Sequence, residues 1–174
     1  VKLIWSREED MIRGRYHPVT KCKMTAGLDE QGNVTGLHMR LSGQSIVSMV
    51  LPSMMKGDLD PYIFQGVADN DGEAMIGYDF PNLLMDHALR NPHIPPGFWR
   101  GVNLNQNAFY MESFIDELAH AARQDPLVFR RKLMVKFPKH LAVLNAVAER
   151  VGWGKPARPV KGMKVFRGLA QTHG

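Results

Sequence analysis

Apolar and polar residues alternate along two stretches in the first half of the chain. Apolar residues occupy every second position from Lys21 to Leu28, and the alternation returns from Val34 to Leu41. The residues between them, 29–33 (DEQGN), are typical of a turn. A period of two gives a strand one apolar and one polar face. The pattern therefore predicts a β-hairpin with one solvated face.

Other short apolar runs in the chain predict further strands. A capping-box pattern, Ser6 followed by Glu9, predicts a short helical turn over Arg7 to Ile12. The four additional predicted strands are Val1–Trp5, Tyr62–Val67, Leu83–Arg90 and Met163–Thr172.

The hydrophobic period changes to that of a helix after residue 106. Between Asn107 and Arg123 apolar residues recur at steps of three and four, at Ala108, Met111, Ile115, Leu118 and Ala122. Glu112 and Asp116 fall on the other, polar face of this helix.

Two more helices are predicted after this one. Asp125 and Pro126 supply an N-cap and a first-turn proline for a helix over Leu127–Met134. Pro138 opens another that extends to Val151. Because strands fill the first half and helices the second, the sequence predicts an α+β fold. We expect mainly antiparallel strands, followed by three consecutive helices from about Gln106 to Val151.

Composition restricts the classes of function. The chain has 174 residues, of which 44% are hydrophobic and 22% charged, as in a globular domain. Its apolar runs are too short to span a membrane, which takes about 20 residues. The net charge is +5, concentrated in residues 130–132 and 155–164. Neither basic run is interleaved with aromatic residues, so a solvated face is favoured over nucleic-acid binding.

Cysteine and histidine usage argues against a metal site made of protein ligands. The lone Cys22 excludes an internal disulfide and a cysteine-ligated iron–sulfur cluster, and its alternating context favours a buried structural thiol. The seven histidines include no pair three or four residues apart. There is also no P-loop, no G-x-S-x-G and no G-x-G-x-x-G.

A loop punctuated by proline and glycine, residues 95–106 (PPGFWRGVNLNQ), precedes the central helix. It holds Arg100 between an aromatic pair, Phe98 and Trp99, and Gly101, which permits close approach of a ligand. We expect the two rings to pack inward and the Arg100–Gly101 peptide to face a bound group. From the residues alone, an ordinary loop whose aromatic residues cap a core is the favoured interpretation, because glycine and proline mark most loops.

The run GFWRGVNLNQNAFYMESFIDELA, at residues 97–119, resembles the large, molybdenum-binding subunit of the xanthine dehydrogenase/aldehyde oxidase family. It is most similar to the branch that includes isoquinoline 1-oxidoreductase beta subunits, which read G-F-W-R-S-V, Q-N-A-F and E-S-F-I-D-E-L-A. Gly101 replaces the serine of that pattern. Further similar motifs lie at residues 2–11 (KLIWSREEDM), 78–83 (YDFPNL) and 152–155 (GWGK).

The resemblance implies roles for five residues. Arg100, Gly101 and Gln106 correspond to cofactor-binding positions, with the backbone at Arg100 touching the molybdenum–pterin cofactor. Val102 corresponds to a substrate-stacking phenylalanine of purine-oxidising relatives. Arg15 corresponds to their substrate-binding arginine, with Tyr16 as an inserted residue; by itself Arg15 is also compatible with an ordinary surface arginine.

The resemblance also implies the activity and partners of a longer protein. Members hydroxylate an N-heteroaromatic ring or an aldehyde with oxygen from water, and pass electrons to a [2Fe–2S] small subunit or domain. The family's upstream glycine-rich loop and downstream glutamate base do not occur in these residues. We therefore expect residues 1–174 to be a single fragment of a molybdopterin-binding domain, truncated at both ends, with no catalytic residue, no bound cofactor and no activity alone.

One alternative stays open: a non-catalytic binding or interaction domain that retains the fold. The expected partners are the remainder of the polypeptide, the small subunit and a small-molecule substrate. The sequence leaves the compartment open between bacterial cytoplasm and periplasm.

Overall fold

The protein is described by a computed structural model that covers residues 1–68 and 76–172. Within these residues, three strands form one sheet in the order β1–β2–β3: β1 (Thr20–Leu28), β2 (Val34–Gly43) and β3 (Leu83–Leu89). β1 and β2 pair antiparallel, which confirms the predicted hairpin.

The expectation of mainly antiparallel pairing is wrong for the second strand pair. β3 runs parallel to β2, from Leu37 beside Leu83 to Gly43 beside Leu89. A parallel partner requires the chain to return to the same end of the sheet through a long connection. The connection between β2 and β3 supplies this, and it includes a helix, α2 (Ile46–Val50), and a 3₁₀ turn (Pro52–Met54).

The remaining helices are α1 (Arg7–Arg13), α3 (Leu104–Ala121), α4 (Pro126–Leu133) and α5 (Pro138–Arg150). The succession α3–α4–α5 confirms the three predicted helices, although α3 begins before Gln106. Side-chain caps set two starts: the Ser6 side chain accepts from the Glu9 amide in α1, and Asp125 accepts from two amides of α4. The described helices and strands together form an α+β arrangement.

Three of the predicted strands are wrong. Residues 1–5 and 164–172 have no regular secondary structure, and Met163 makes only an isolated bridge with Val160. Residues 62–67 form turns, although Ile63 and Val67 are 2% and 1% exposed. A short apolar run signals burial, and burial alone does not distinguish a strand from a packed turn.

The core lies between the apolar face of the sheet and α3. Met39 and Leu41 on β2 and Met111 and Ile115 on α3 are completely buried. The apolar side chains of β1 pack against the same cluster and are partly buried. The apolar face predicted for the hairpin thus covers the central helix.

On the opposite face, Asp86 of β3 pairs with two side chains of β2. The His38 Nε2 lies 2.7 Å from Asp86 Oδ2, and the Arg40 guanidinium lies 3.2 Å from Asp86 Oδ1. In the register of the parallel pair, Arg40 and Asp86 stand side by side. These contacts join the parallel strand to the hairpin from the solvent side.

A buried guanidinium ties the helices together. Arg130 of α4 is fully buried and contacts Glu112 of α3 through Nη2–Oε2 at 2.9 Å and Nε–Oε2 at 3.1 Å. Its Nη1 donates to Asp116 at 2.6 Å, and its Nη2 donates to the carbonyl of Leu169 at 2.9 Å. The Tyr78 hydroxyl donates to Glu112 at 3.0 Å and accepts from Arg130 Nε at 3.1 Å.

Glu112, which the helical pattern places on the polar face of α3, is therefore buried, with only 4% of its surface exposed. Burial raises the pKa of Glu112 above its ordinary value, in spite of the opposing guanidinium and hydroxyl hydrogen bonds. Burial and the neighbouring carboxylate also raise the pKa of Tyr78, so its hydroxyl stays a hydrogen-bond donor.

We predict that Arg130→Met lowers the free energy of unfolding by about 3–5 kcal/mol, because it leaves the Glu112 carboxylate buried without its partner. Denaturant titration of the chain measures this loss. The adjacent, exposed Arg131 makes one side-chain hydrogen bond among the described residues, to Asn145, so Arg131→Met is the matched control and should change stability by less than about 0.5 kcal/mol. Equal losses for the two variants would contradict the assignment.

We predict that the Cys22 thiol reacts slowly in the folded protein. Burial raises its pKa to about 11 from 9.0, so at pH 8 the thiolate fraction falls roughly 100-fold relative to the unfolded chain. The thiol pKa is higher in the folded protein than in the unfolded chain. The contribution of Cys22 to stability is therefore fully present below about pH 9 and is lost as the pH rises through about 11. Iodoacetamide labelling with and without denaturant tests this, and equal rates would contradict it.

Candidate functional site

The loop predicted to bind a ligand joins β3 to α3, and its upstream side is fixed by Gln44. This side chain is 1% exposed. Its Oε1 accepts from the Val19 amide at 2.8 Å, and its Nε2 donates to the Ile94 carbonyl at 2.6 Å. One buried carboxamide thus ties the start of β1 to the beginning of the loop.

Tyr16 pairs with the same loop through its backbone. The Tyr16 amide donates to the Pro95 carbonyl at 3.2 Å, and the Gly97 amide donates to the Tyr16 carbonyl at 2.9 Å. This is a parallel bridge between Tyr16 and Pro96. The bridge joins two segments that are about 80 residues apart in the chain. The Arg15–Pro96 hydrogen bond, between residues 81 positions apart, joins the same two segments.

Arg15 lies directly across Gly97. A Cβ added at Gly97 would overlap the Cβ and Cδ atoms of the Arg15 side chain, so glycine permits this close approach. Arg15 Nη1 donates to the Pro96 carbonyl at 3.4 Å. The structure therefore places this predicted substrate-binding residue at the predicted cofactor-binding loop.

A tight turn follows, with two residues in left-handed backbone conformation. Gly101 has φ +90° and Val102 has φ +47°. The Val102 amide donates to the Trp99 carbonyl at 2.8 Å, and the Leu104 amide donates to the Gly101 carbonyl at 2.9 Å. A positive φ is unusual for a β-branched residue, so the surrounding contacts hold Val102 in a strained conformation.

Gly101 is needed for a different reason from the one that the sequence suggested. A Cβ at this position would collide with the Asn105 side chain, whose Nδ2 donates to the Arg100 carbonyl at 2.7 Å. Glycine therefore makes room for an internal hydrogen bond, in addition to supplying the positive φ.

Carboxamides at the start of α3 fix the downstream side of the loop. Asn103 donates to the Tyr62 carbonyl at 2.9 Å and accepts from Gln106 Nε2 at 2.8 Å. Asn107, which is completely buried, donates to the carbonyls of Ile63 and Gln65 at 2.8 and 3.0 Å. Among the described residues, the buried Oε1 of Gln106 and Oδ1 of Asn107 have no hydrogen-bond partner.

The tip between these anchors is exposed. Phe98 and Trp99 are 56% and 60% exposed, so the prediction that they pack inward is wrong. The loop is held by carboxamides and backbone hydrogen bonds, and its rings are not needed to fix it. Within the described part of the chain, the amides of Trp99, Arg100 and Gly101 have no protein acceptor.

This arrangement fits an anionic, planar group. Three consecutive amides without an acceptor among the described residues, and an exposed arginine in the same turn, provide donors and positive charge for phosphate or pterin oxygens. Gln106 adds a buried carboxamide oxygen that could accept from a ring N–H. In contrast, residues 1–68 and 76–172 contain no cluster of three or more histidine, cysteine, aspartate or glutamate side chains that could hold a metal ion.

All five residues singled out from the sequence lie in this region: Arg15, Arg100, Gly101, Val102 and Gln106. Sequence reasoning missed the supporting residues Gln44, Asn103 and Asn107. The cluster of asparagine and glutamine in residues 103–107 (NLNQN) was the available signal, because such side chains satisfy backbone groups at loop–helix junctions. No comparable signal marked Gln44.

Comparison with known proteins gives several matches. The chain is 27% identical over 175 residues to the beta subunit of isoquinoline 1-oxidoreductase from Brevundimonas diminuta, covering 99% of this chain and 21% of that protein. It is 26% identical over 163 residues to a nicotinate dehydrogenase subunit from Pseudomonas putida, covering 92% and 13%. It is 25% identical over 190 residues to a protein of Gluconacetobacter polyoxogenes named membrane-bound aldehyde dehydrogenase [pyrroloquinoline-quinone], covering 100% and 24%.

The fold also matches a solved structure. Quinoline 2-oxidoreductase from Pseudomonas putida 86 superposes with a TM-score of 0.64 at 20% identity, over 86% of this chain and 20% of that one. The chain thus spans about a fifth of the length of several of these proteins. None of the described helices is long and apolar enough to cross a bilayer.

A sequence model of one protein family matches the part of the chain that contains most of the sequence motifs and the loop. The sequence model of the molybdopterin cofactor-binding domain matches residues 1–134, which include β1, β2, β3, the loop, α3 and α4. The chain belongs to the molybdopterin cofactor-binding domain family.

Proposed function

We propose that this chain is part of a molybdenum hydroxylase subunit that oxidises an N-heteroaromatic or aldehyde substrate with oxygen from water. The observation that carries the proposal is the turn at Trp99–Gly101, which presents an exposed arginine and three amides without an acceptor among the described residues. The chain that contains this turn belongs to the molybdopterin cofactor-binding domain family. The relatives named for isoquinoline, nicotinate and aldehyde oxidation support the substrate classes.

In this proposal the backbone amides of Arg100 and Gly101 and the Gln106 carboxamide hold the molybdenum–pterin cofactor. When bound, that cofactor supplies the oxygen transfer and accepts the electrons. Arg15 and Val102 then face the substrate, with Arg15 supplying positive charge and Val102 an apolar contact. This chain contributes binding and orientation, and no catalytic acid or base.

The complete enzyme would contain the remainder of the polypeptide and a [2Fe–2S] small subunit. This chain covers about a fifth of the related isoquinoline 1-oxidoreductase beta subunit. That coverage is consistent with a 174-residue fragment that is inactive alone. The exposure of large apolar side chains is consistent with further protein contacts, for example at Leu3, Ile4 and Trp5, which are 78%, 77% and 56% exposed.

Metal analysis of the complete large chain, expressed with its small subunit, tests this function. Molybdenum in stoichiometric amount, together with ¹⁸O transfer from labelled water into isoquinoline or an aldehyde, is the expected result. Active protein with a quinone cofactor and no molybdenum would overturn the proposal, and so would a complete chain that binds no cofactor. The last result would favour a non-catalytic binding domain.

We predict that Gly101→Val lowers the molybdenum content or kcat of the complete enzyme. Its side chain would collide with Asn105 at a backbone φ of +90° and displace the free amides. Gly154→Val is the matched control, because Gly154 has φ +82° and no atom lies within 4 Å of its Cβ position. Metal analysis and turnover measurements compare the two, and equal effects would show that general backbone strain explains the loss.

We predict that Val102→Phe keeps the molybdenum content and changes the relative kcat/KM among ring sizes. A phenylalanine supplies a ring contact that valine lacks, worth about 0.5–1.5 kcal/mol. Steady-state kinetics with one-ring and two-ring N-heterocycles measure the change. An unaltered ratio would place Val102 away from the substrate.

A further inference from the structure

We propose that Asp60 is a positioning residue for the cofactor: through Tyr62 and Asn103 it fixes the direction in which Gln106 presents its carboxamide oxygen. This inference rests on the proposed function, in which Gln106 holds the cofactor, and adds a residue that the function did not assign. The sequence shows Asp60 only as the first residue of an Asp-Pro pair, which is typical of a turn.

The Asp60 carboxylate is 1% exposed, and both of its oxygens are hydrogen-bonded. Its Oδ2 accepts from the Ser45 hydroxyl at 2.6 Å, and its Oδ1 accepts from the Tyr62 amide at 2.8 Å. Burial of a carboxylate is tolerated only when its oxygens have such donors, so the two contacts hold the side chain in place. Ser45 directly follows Gln44, which fixes the upstream side of the loop. Asp60 therefore connects that segment with the turn at Tyr62.

The carbonyl of Tyr62 then sets the orientation of the Asn103 side chain. This carbonyl accepts from Asn103 Nδ2 at 2.9 Å. A carbonyl oxygen can only accept a hydrogen bond, so Asn103 must direct its NH₂ group towards Tyr62. Its oxygen is consequently left for the other neighbour, and Oδ1 accepts from Gln106 Nε2 at 2.8 Å. The Asn103 amide also donates to Gln65 Oε1 at 3.2 Å, which holds the backbone of Asn103 beside the same turn.

The same reasoning fixes the orientation of Gln106. Because Asn103 presents an oxygen, Gln106 must present its NH₂ group to Asn103, and its own oxygen remains available. That oxygen, Oε1, is buried and has no hydrogen-bond partner within residues 1–68 and 76–172. A buried acceptor without a donor is costly, and an N–H group of the bound cofactor would remove that cost.

Loss of the Asp60 carboxylate would weaken this orientation. The Tyr62 peptide would lose the acceptor of its amide, and Asn103 and Gln106 could then turn their carboxamides over together. A reversed Gln106 presents NH₂ where the cofactor presents N–H, so two donors would face each other. We therefore expect faster release of the cofactor when Asp60 is removed, and we expect the effect to require Gln106.

The test measures cofactor release from the complete enzyme, assembled with its small subunit, by the fluorescence of released pterin in mild denaturant. Gln106→Ala and Asp60→Ala should each raise the release rate about 10-fold, the lower end of the range for residues that support a bound metal. In an enzyme that already carries Gln106→Ala, adding Asp60→Ala should change the rate by less than about 2-fold. Asp60→Asn keeps an oxygen for the Tyr62 amide and should keep the rate within about 2-fold of the wild type.

Asp125→Ala is the matched control for a general loss of stability. Asp125 Oδ1 accepts from the amide two residues later, that of Leu127 at 2.9 Å, just as Asp60 does from Tyr62. It lies at the start of α4 and has no contact with the chain of hydrogen bonds that ends at Gln106. Any effect of Asp125→Ala on the release rate should therefore multiply with that of Gln106→Ala.

Effects of Asp60→Ala and Gln106→Ala that multiply would overturn this inference, and so would an unaltered release rate in Gln106→Ala; both results leave a molybdenum hydroxylase intact. If Asp60→Ala prevents folding, Ser45→Ala takes its place with the same two outcomes, because it removes the hydroxyl that donates to Asp60 and keeps the carboxylate. Wild-type enzyme that contains no molybdenum–pterin cofactor would overturn the proposed function itself.

Discussion

The buried pairing of Arg130 with Glu112 is the interaction on which the arrangement of the helices depends. A guanidinium without exposure to water must satisfy its donors within the protein, and Arg130 does so with α3, Tyr78 and the carbonyl of Leu169. Each of these partners comes from a different part of the chain. The cost of burying the charges is recovered only when all of them are in place.

This constraint reaches the candidate site through α3. Glu112 fixes the rotation of the helix about its axis, and the same rotation directs Asn107 towards the carbonyls of Ile63 and Gln65. The residues at the start of α3 then fix the downstream side of the loop through the side chains of Asn103 and Gln106. The loop tip is therefore ordered from two rigid sides, which is what a site for a large cofactor requires.

Much of the fold follows from the sequence alone. The alternation in β1 and β2 and the helical period in α3, α4 and α5 are local signals, because each face of the element meets a single environment. Polar residues that are buried by tertiary contacts are different. Glu112 looks like a solvated helix residue, and only the position of Arg130, eighteen residues later, reverses that assignment.

The candidate site shows the same division. The composition of residues 95–106 marks a loop that presents an arginine, and Arg15 was expected at the substrate. The contact of Arg15 with Gly97 depends on the bridge between Tyr16 and Pro96, and no local sequence pattern encodes a pairing of such distant residues. The exposure of Phe98 and Trp99 was missed because aromatic residues are usually buried, and here carboxamides hold the loop instead. The parallel strand β3 was missed because its direction depends on a long connection.

The most direct test of the central claim is an experimental structure of the complete, cofactor-loaded enzyme. The account predicts that the backbone amides of Arg100 and Gly101 lie within hydrogen-bond distance, about 3 Å, of the molybdenum–pterin cofactor. A cofactor bound elsewhere, with the tip of this loop in solvent or against another protein surface, would contradict it.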